Sequence, residues 1–233
     1  MNQHFSNRLL NQIKNKPFVT YGILIVTIFM YLLMTMNGGS QNIDVLLQFG
    51  AKFNFSIIVF NEWWRLITPI FLHIGLAHLV FNMLIVYFLG SQLEMVFGHG
   101  KYLILYMFSG IMGNLFSFAF NSSISAGAST AIFGLFISTI VLSKIYPNRF
   151  QLQAIARQYG VLIGLNIIFG LFSTGVDNMG HIGGLVGGYL ISYVILESYN
   201  HRLNDRIKYA IIYVIIALIM IFWGYNQIMY IGF

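Results

Sequence analysis

The run from Tyr102 to Ser143, YLILYMFSGIMGNLFSFAFNSSISAGASTAIFGLFISTIVLS, contains no Asp, Glu, Lys or Arg. A membrane-spanning helix needs about 20 predominantly apolar residues. This run is long enough for two, divided at Asn121-Ser-Ser-Ile-Ser-Ala-Gly127, where polar and small residues replace apolar ones and mark a turn. The same punctuation repeats on either side. Residues 17–43, 66–93, 158–176, 178–196 and 209–233 are also free of formal charge, and each holds one span. The spacing predicts seven transmembrane helices, centred near residues 27, 83, 111, 136, 165, 188 and 219, with Asn166 and several glycines interrupting the fifth. Seven such runs in succession cannot all be buried in a small soluble domain, so the fold class is an all-α polytopic membrane protein.

Composition agrees. The chain of 233 residues is 58% hydrophobic and 8% charged, where a soluble domain carries about 25% charged residues. This excludes a soluble globular enzyme and a disordered chain. The net charge of +6 comes from only 12 basic and 6 acidic residues spread over the whole length, too sparse for a basic patch, so no nucleic-acid partner is expected. With no cysteine there is no disulfide framework, thiolate nucleophile or cysteine metal site. Phe18 to Met36 is too long for the apolar core of a signal peptide and lacks a following cleavage site, so it reads as a retained span after an N-terminal segment, residues 1–17.

The basic residues set an expected direction. With the N-terminus cytoplasmic, Arg8, Lys14, Lys16, Lys101, Lys144, Arg149, Arg157, Arg202, Arg206 and Lys208 lie inside, leaving only Lys52 and Arg65 outside. The excess of basic residues on cytoplasmic loops favours this arrangement over its inverse, and it places the C-terminus outside. The surplus positive charge then serves topology and contact with anionic lipid. The expected home is a cell membrane, and heavy use of Ile, Asn, Phe, Tyr and Lys hints at a bacterial source.

Polar side chains inside spans are costly and mark function. Four groups stand out: His78 with Asn82, Glu94, Ser129 and His181. In the expected topology the second, fourth and sixth helices all descend from outside. His78 and Asn82, at i and i+4, share one face of the second; Ser129 opens the fourth; His181 lies in the outer part of the sixth. At a rise of about 1.5 Å per residue, each falls within roughly 10 Å of the outer end of its span. A hydroxyl, two imidazoles and an amide at one depth suit nucleophilic attack by serine, which needs an adjacent base such as neutral imidazole. His181 is the natural base for Ser129. His78, Asn82 and the backbone N–H of Ser129 are candidate donors to an oxyanion, and Gly127 lets backbone approach closely. Asp177, four residues before His181, falls in the loop, so a Ser–His dyad is expected rather than a triad. His181, Gly184 and Gly188, at i, i+3 and i+7, place the base on a face suited to close packing against the fourth helix.

Taken singly, each of these residues has a plain structural reading: Ser129 as a small helix-contact residue, the histidines as buried groups bonded to carbonyls, Asn82 as interhelical glue. Together, in this order, they resemble the rhomboid intramembrane serine proteases. The matching pieces are Gly127-Ala-Ser129-Thr130-Ala-Ile-Phe-Gly134, His181-Ile-Gly-Gly184-Leu-Val-Gly-Gly188, His78-Leu-Val-Phe-Asn82 and Trp64-Arg65, across roughly 60–200. The resemblance implies a six-helix bundle core, here 18–200, plus a seventh transmembrane helix within 201–233. It implies Ser129 as nucleophile, His181 as base, His78 and Asn82 as oxyanion donors, and Phe133 as an aromatic packed on the catalytic histidine. It makes Glu94 a structural acid rather than a catalytic one. Many members have Gly after the serine; Thr130 stands there instead, which bears on the shape of the oxyanion site and on cleavage preference.

The implied activity is hydrolysis of peptide bonds in or near transmembrane segments of other membrane proteins, with no cofactor and no metal. No His-Glu-x-x-His ligand set exists, and Asp44, Asp177 and Asp205 lie in or beside loops, which disfavours metallo- and aspartyl chemistry. No internal repeat supports a transporter. A non-proteolytic membrane protein, transporter or membrane-protein-binding pseudoprotease, is the rival reading. The loop 37–65, rich in Phe, Ile and Trp, is expected to lie at the bilayer interface. His73, about 140° around a helix from His78, is a pocket-lining or water-contacting candidate. Nothing in the sequence signals an oligomeric state.

Overall fold

A computed structural model describes residues 16–173, 175–196 and 203–231, with side chains to 227. Of the residues used in the topology argument, Arg8, Lys14 and Arg202 lie outside the described residues, as does most of the segment 1–17. The elements are α1 (Phe18–Met36), α2 (Ile43–Phe49), α3 (Asn54–Val59), α4 (Leu76–Phe97), α5 (His99–Phe120), α6 (Ser129–Ile145), α7 (Phe150–Phe172), α8 (Asn178–Ile195) and α9 (Leu203–Ile231). Seven of these are the long helices expected from the charge-free runs. By length and apolarity alone, five of the described helices can cross a membrane: α1, α4, α5, α7 and α9. The other two long helices are α6, with 17 residues, and α8, whose five glycines dilute its apolarity.

The helices α5, α6 and α8 form the interior, and α1, α4, α7 and α9 stand around them. In α6 almost every side chain from Thr130 to Ser143 is buried, whereas α7 buries only Ala156 and Gly170. Gly98, at φ 78, allows the sharp reversal between α4 and α5. At that end of the bundle the buried Glu94 accepts bonds from the backbone N–H of Val19 (2.9 Å) and Thr20 (2.8 Å), from the Thr20 hydroxyl (2.7 Å) and from His99 Nδ1 (2.5 Å). The first turn of α1 presents amide N–H groups that no helical carbonyl can satisfy, and a carboxylate is the partner they favour. Glu94 thus ties α1 to α4.

At the opposite end, the segment between α1 and α4 folds into α2, α3 and two 3-10 turns, Trp63–Leu66 and Thr68–Phe71. Phe60, Trp63 and Trp64 expose much of their surface there, as an interfacial segment would. Its two basic residues are internal fasteners. Arg65 bonds the carbonyls of Leu47 (2.8 Å) and Ala51 (3.0 Å), pairs with Glu62 (2.5 Å) and lies over the ring of Trp64. Lys52, fully buried, donates to Asn54 Oδ1 (3.1 Å) and to the carbonyls of Ser117 (3.4 Å), Asn121 (2.6 Å) and Ser123 (2.8 Å). A cation at the C-terminal carbonyls of α5 complements the helix dipole. Burial pushes the Lys52 ammonium down to about 8, with Asp177 acting against the shift. Its backbone also pairs with Ser125 in a single antiparallel bridge, so the loop before α6 is pinned by side chain and main chain together.

The last helix packs against α5 and α8. The Tyr213 hydroxyl donates to the Phe108 carbonyl (2.8 Å), and Tyr209 stacks on Tyr193 with ring centroids 4.5 Å apart.

Candidate active site

Ser129 is the first residue of α6. The loop that delivers it is held from the α2–α4 segment: Gly127 N–H donates to the Pro69 carbonyl (2.9 Å), and Ala128 N–H donates to His73 Nε2 (3.3 Å). Gly127 sits at φ 152, and a Cβ there would come within 2.7 Å of the His78 ring. Only glycine leaves room for that ring beside the serine.

His181 lies one turn into α8, whose first turn is capped by Asp177 accepting from Gly180 N–H (3.0 Å). His181 Nε2 is 3.0 Å from Ser129 Oγ. The imidazole stacks on Phe133, with ring centroids 4.1 Å apart and planes 10° from parallel. Its Nδ1 is buried and has no hydrogen-bond partner among the described residues. The Asp177 carboxylate, the acid closest to it in sequence, is occupied by the Ser117 hydroxyl and the Gly180 amide. Burial raises its pKa, but these hydrogen bonds outweigh that and hold Asp177 below the usual carboxylate range. The arrangement is a serine–histidine pair whose ring is oriented by an aromatic face.

The pair forms because two helices approach backbone to backbone. A Cβ at Gly184 would run into the Thr130 carbonyl, and one at Gly188 into the backbone of Gly134. These glycines are therefore contacts between α8 and α6 one and two turns below the pair. Thr130 faces away from the cleft: its side chain lies where a Cβ on Gly113 (2.5 Å) or Gly180 (3.2 Å) would clash, filling the gap between α5 and α8. Any bearing of Thr130 on the oxyanion site therefore comes through its backbone beside Ser129 and not through its side chain.

Ser129, His181, His78, Asn82 and Phe133 line one cleft of about 690 Å3 between α4, α6 and α7. His78 is half-buried beside Gly127. The Asn82 amide folds back to donate to the His78 carbonyl (2.8 Å), which leaves its second N–H for another acceptor. His73 is not pocket-lining: it is fully buried, and its Nε2 is engaged by Ala128. Its role as a support of the Ser129 loop was invisible in the sequence, as was that of Lys52, because both act on partners more than fifty residues away. Trp64 and Arg65 organise the α2–α4 segment, and Glu94 fastens the far end; none of the three lines the cleft. Among the described residues no cluster of His, Cys, Asp or Glu is suited to hold a metal ion.

A polytopic helical bundle with a serine–histidine pair inside a cleft of mixed polar and apolar lining defines the class. The chain belongs to the rhomboid family: the Rhomboid domain model matches residues 60–198. It is 44% identical over 172 residues to Rhomboid protease GluP of Bacillus subtilis (strain 168), covering 74% of this chain and 34% of that protein. It is 33% identical over 129 residues to Putative rhomboid protease YdcA of the same strain, covering 54% and 64%. It is 31% identical over 172 residues to Rhomboid-like protease 3 of Toxoplasma gondii, covering 70% and 64%. The chain thus spans about a third of the length of the first of these relatives and just under two thirds of the other two.

Proposed function

We propose that this protein is an intramembrane serine endopeptidase working through a Ser129–His181 dyad. The observation that carries the proposal is the 3.0 Å contact between Ser129 Oγ and His181 Nε2 inside a cleft of a membrane-spanning bundle. Ser129 Oγ attacks the carbonyl carbon of a substrate peptide bond as His181 Nε2 takes its proton. The tetrahedral intermediate carries its negative charge on the former carbonyl oxygen. The Ser129 N–H, the His78 ring and the free N–H of Asn82 are the candidate donors to that oxygen. Collapse breaks the C–N bond, and His181 returns the proton to the leaving amine. Water, activated by the same imidazole, then hydrolyses the acyl-enzyme and restores Ser129. For Nε2 to accept a proton, the neutral ring carries its hydrogen on Nδ1; stacking on Phe133 supplies the orientation that a carboxylate would give. No metal or cofactor takes part.

The substrates are transmembrane segments of other proteins that reach the cleft within the bilayer. The Ser129 end faces outward, with the N-terminus cytoplasmic and the C-terminus exterior. This is supported by the distribution of charge among the described residues. Lys16, Lys101, Lys144, Arg149, Arg157, Arg206 and Lys208 lie toward the end remote from Ser129, while Lys52 and Arg65 at the near end are buried in hydrogen bonds.

The test is cleavage of a model transmembrane substrate by the purified protein beside Ser129→Ala and His181→Ala, with labelling by a serine-directed fluorophosphonate. Both variants are expected to lose cleavage, and Ser129→Ala to lose labelling. Undiminished cleavage by Ser129→Ala sinks the mechanism. Tag accessibility at 121–126 tests the orientation: a cytoplasmic tag reverses it.

A further inference from the structure

A second cavity, of about 780 Å3, opens between α4, α6 and α7 at the end of the bundle remote from Ser129. Its walls include Ser91 and Met95 of α4, Leu142 of α6, Leu152 of α7, and Tyr146 and Arg149 of the intervening loop. It shares no lining residue with the catalytic cleft. Between the two, Phe136 of α6 stacks on Tyr159 of α7 with ring centroids 5.1 Å apart. We propose that this cavity seats one anionic phospholipid, its acyl chains against the apolar walls and its phosphate at Arg149. The inference does not need the proteolytic reading; its third argument alone rests on the membrane orientation proposed above.

Three observations select this occupant. First, the rim is cationic, and no acid among the described residues neutralises it. Arg149 is exposed, and its guanidinium has no hydrogen-bond or ion-pair partner among the described residues. Lys16 precedes the lining residue Pro17, and Lys144 lies between the lining residues Leu142 and Tyr146; both are exposed. Among the described residues no acid lines the cavity, and neighbouring Glu94 has both oxygens engaged by Val19, Thr20 and His99. Basic pockets between transmembrane helices hold anionic headgroups for this reason. Second, the Ser91 hydroxyl is buried at the cavity wall without a hydrogen-bond partner among the described residues. A buried hydroxyl favours an acceptor, and the ester carbonyls below a phospholipid headgroup are acceptors at the boundary of apolar and polar layers. Third, the same rim disfavours the other helix-like occupant. Membrane proteins carry their excess Lys and Arg on the flank that faces the cytoplasm, and such a flank would meet like charge here. A zwitterionic lipid also brings a cation to this rim; an anionic one does not.

The experiment is native mass spectrometry of the purified full chain with phosphatidylglycerol and phosphatidylcholine of identical acyl chains at equal concentration. One retained phosphatidylglycerol is expected, preferred by roughly fivefold or more, which is what a single lysine or arginine beside an anionic headgroup supplies. Arg149→Gln, at an exposed position, should remove the preference without altering the fold. Ser91→Phe should fill the cavity and lose the retained lipid altogether; if that variant fails to fold, Arg149→Gln still decides. Equal retention of the two lipids overturns the proposal, as does an unchanged preference in Arg149→Gln. Lipid retained only after deletion of residues 1–15 also overturns it, since the chain's own segment would then be the occupant.

Discussion

Two seams run along this bundle, and they are built in opposite ways. Between α6 and α8 the contact is backbone on backbone: Gly184 meets the Thr130 carbonyl, Gly188 meets Gly134, and Ser129 and His181 sit directly above at 3.0 Å. Between α4 and α7 the two cavities follow one another, and α7 packs mainly on α6. In lipid, apolar side chains gain little from burial against each other, so tight association depends on small residues that let helices approach. The glycine seam has that device and the open seam lacks it. In the mechanism proposed above, the two side chains that must lie within hydrogen-bond reach are brought together on the first. The second, with its cavities, is where that proposal would admit a large apolar substrate.

The largest expected effect breaks the tight seam. Gly184→Ala and Gly188→Ala insert a methyl where backbone atoms already stand, and backbone cannot rotate aside as a side chain does. Overpacking of this kind costs about 1–3 kcal/mol or more, and it pushes His181 away from Ser129. Fluorophosphonate labelling and cleavage should fall by orders of magnitude, with a lowered melting temperature. The matched control lies on the open seam's helix: at Gly164 of α7 a Cβ meets nothing within 4 Å. Gly164→Ala should be neutral or stabilise by up to about 1 kcal/mol through helix propensity. Equal damage at Gly184 and Gly164 would refute the distinction between the seams.

The next effect concerns what holds the tight seam's loop. Lys52→Met removes an ammonium that donates to three carbonyls at the end of α5 and in the following loop, of which Ser117 keeps the Asn121 N–H. Unsatisfied buried acceptors cost about 1–3 kcal/mol each at most, and water entering the vacated space recovers part of that. A loss of roughly 2–3 kcal/mol of stability is expected, read by thermal unfolding in detergent. Labelling of Ser129 should fall by more than the fraction unfolded explains, because the Lys52–Ser125 bridge leads directly into the residues that deliver the serine. Lys52→Arg, which keeps the charge but not the compact ammonium, should rescue stability only in part.

The same contrast explains what the sequence revealed. The spans were legible because charge is excluded from hydrocarbon, and the pair Ser129–His181 because its glycine row stood on the face of His181. The helix ends were less legible, since charges end a bilayer crossing without ending a helix. Thus α7 begins at Phe150, before Arg157, and α9 begins at Leu203 with Asp205, Arg206 and Lys208 inside it. The run 66–93 erred the other way: Pro69 and Gly75 hold back the helix until Leu76. The supports of the site carried no local signal. Lys52 reads in sequence as one of two basic residues on the wrong side of the membrane, and only the fold shows that it is spent on carbonyls 65 to 71 residues away. Thr130 reads as a departure beside the nucleophile, and only the positions of Gly113 and Gly180 show what its side chain fills.

The smallest expected effect on stability tests the open seam. Phe81 of α4 and Phe169 of α7 both line the catalytic cleft, yet they are 68% and 65% exposed. Their rings face lipid when the cleft is empty, so truncation exchanges protein contact for lipid contact and little else. Phe81→Ala and Phe169→Ala should each shift stability by less than about 1 kcal/mol. Catalysis should respond differently. If a substrate helix passes between α4 and α7, removing either ring changes KM while leaving labelling of Ser129 by a small fluorophosphonate at its original rate. If substrate enters from the loop end, between the α2–α4 segment and the 121–128 loop, neither parameter moves. An unchanged KM in both variants would therefore confine the open seam to lipid and leave access to the loops.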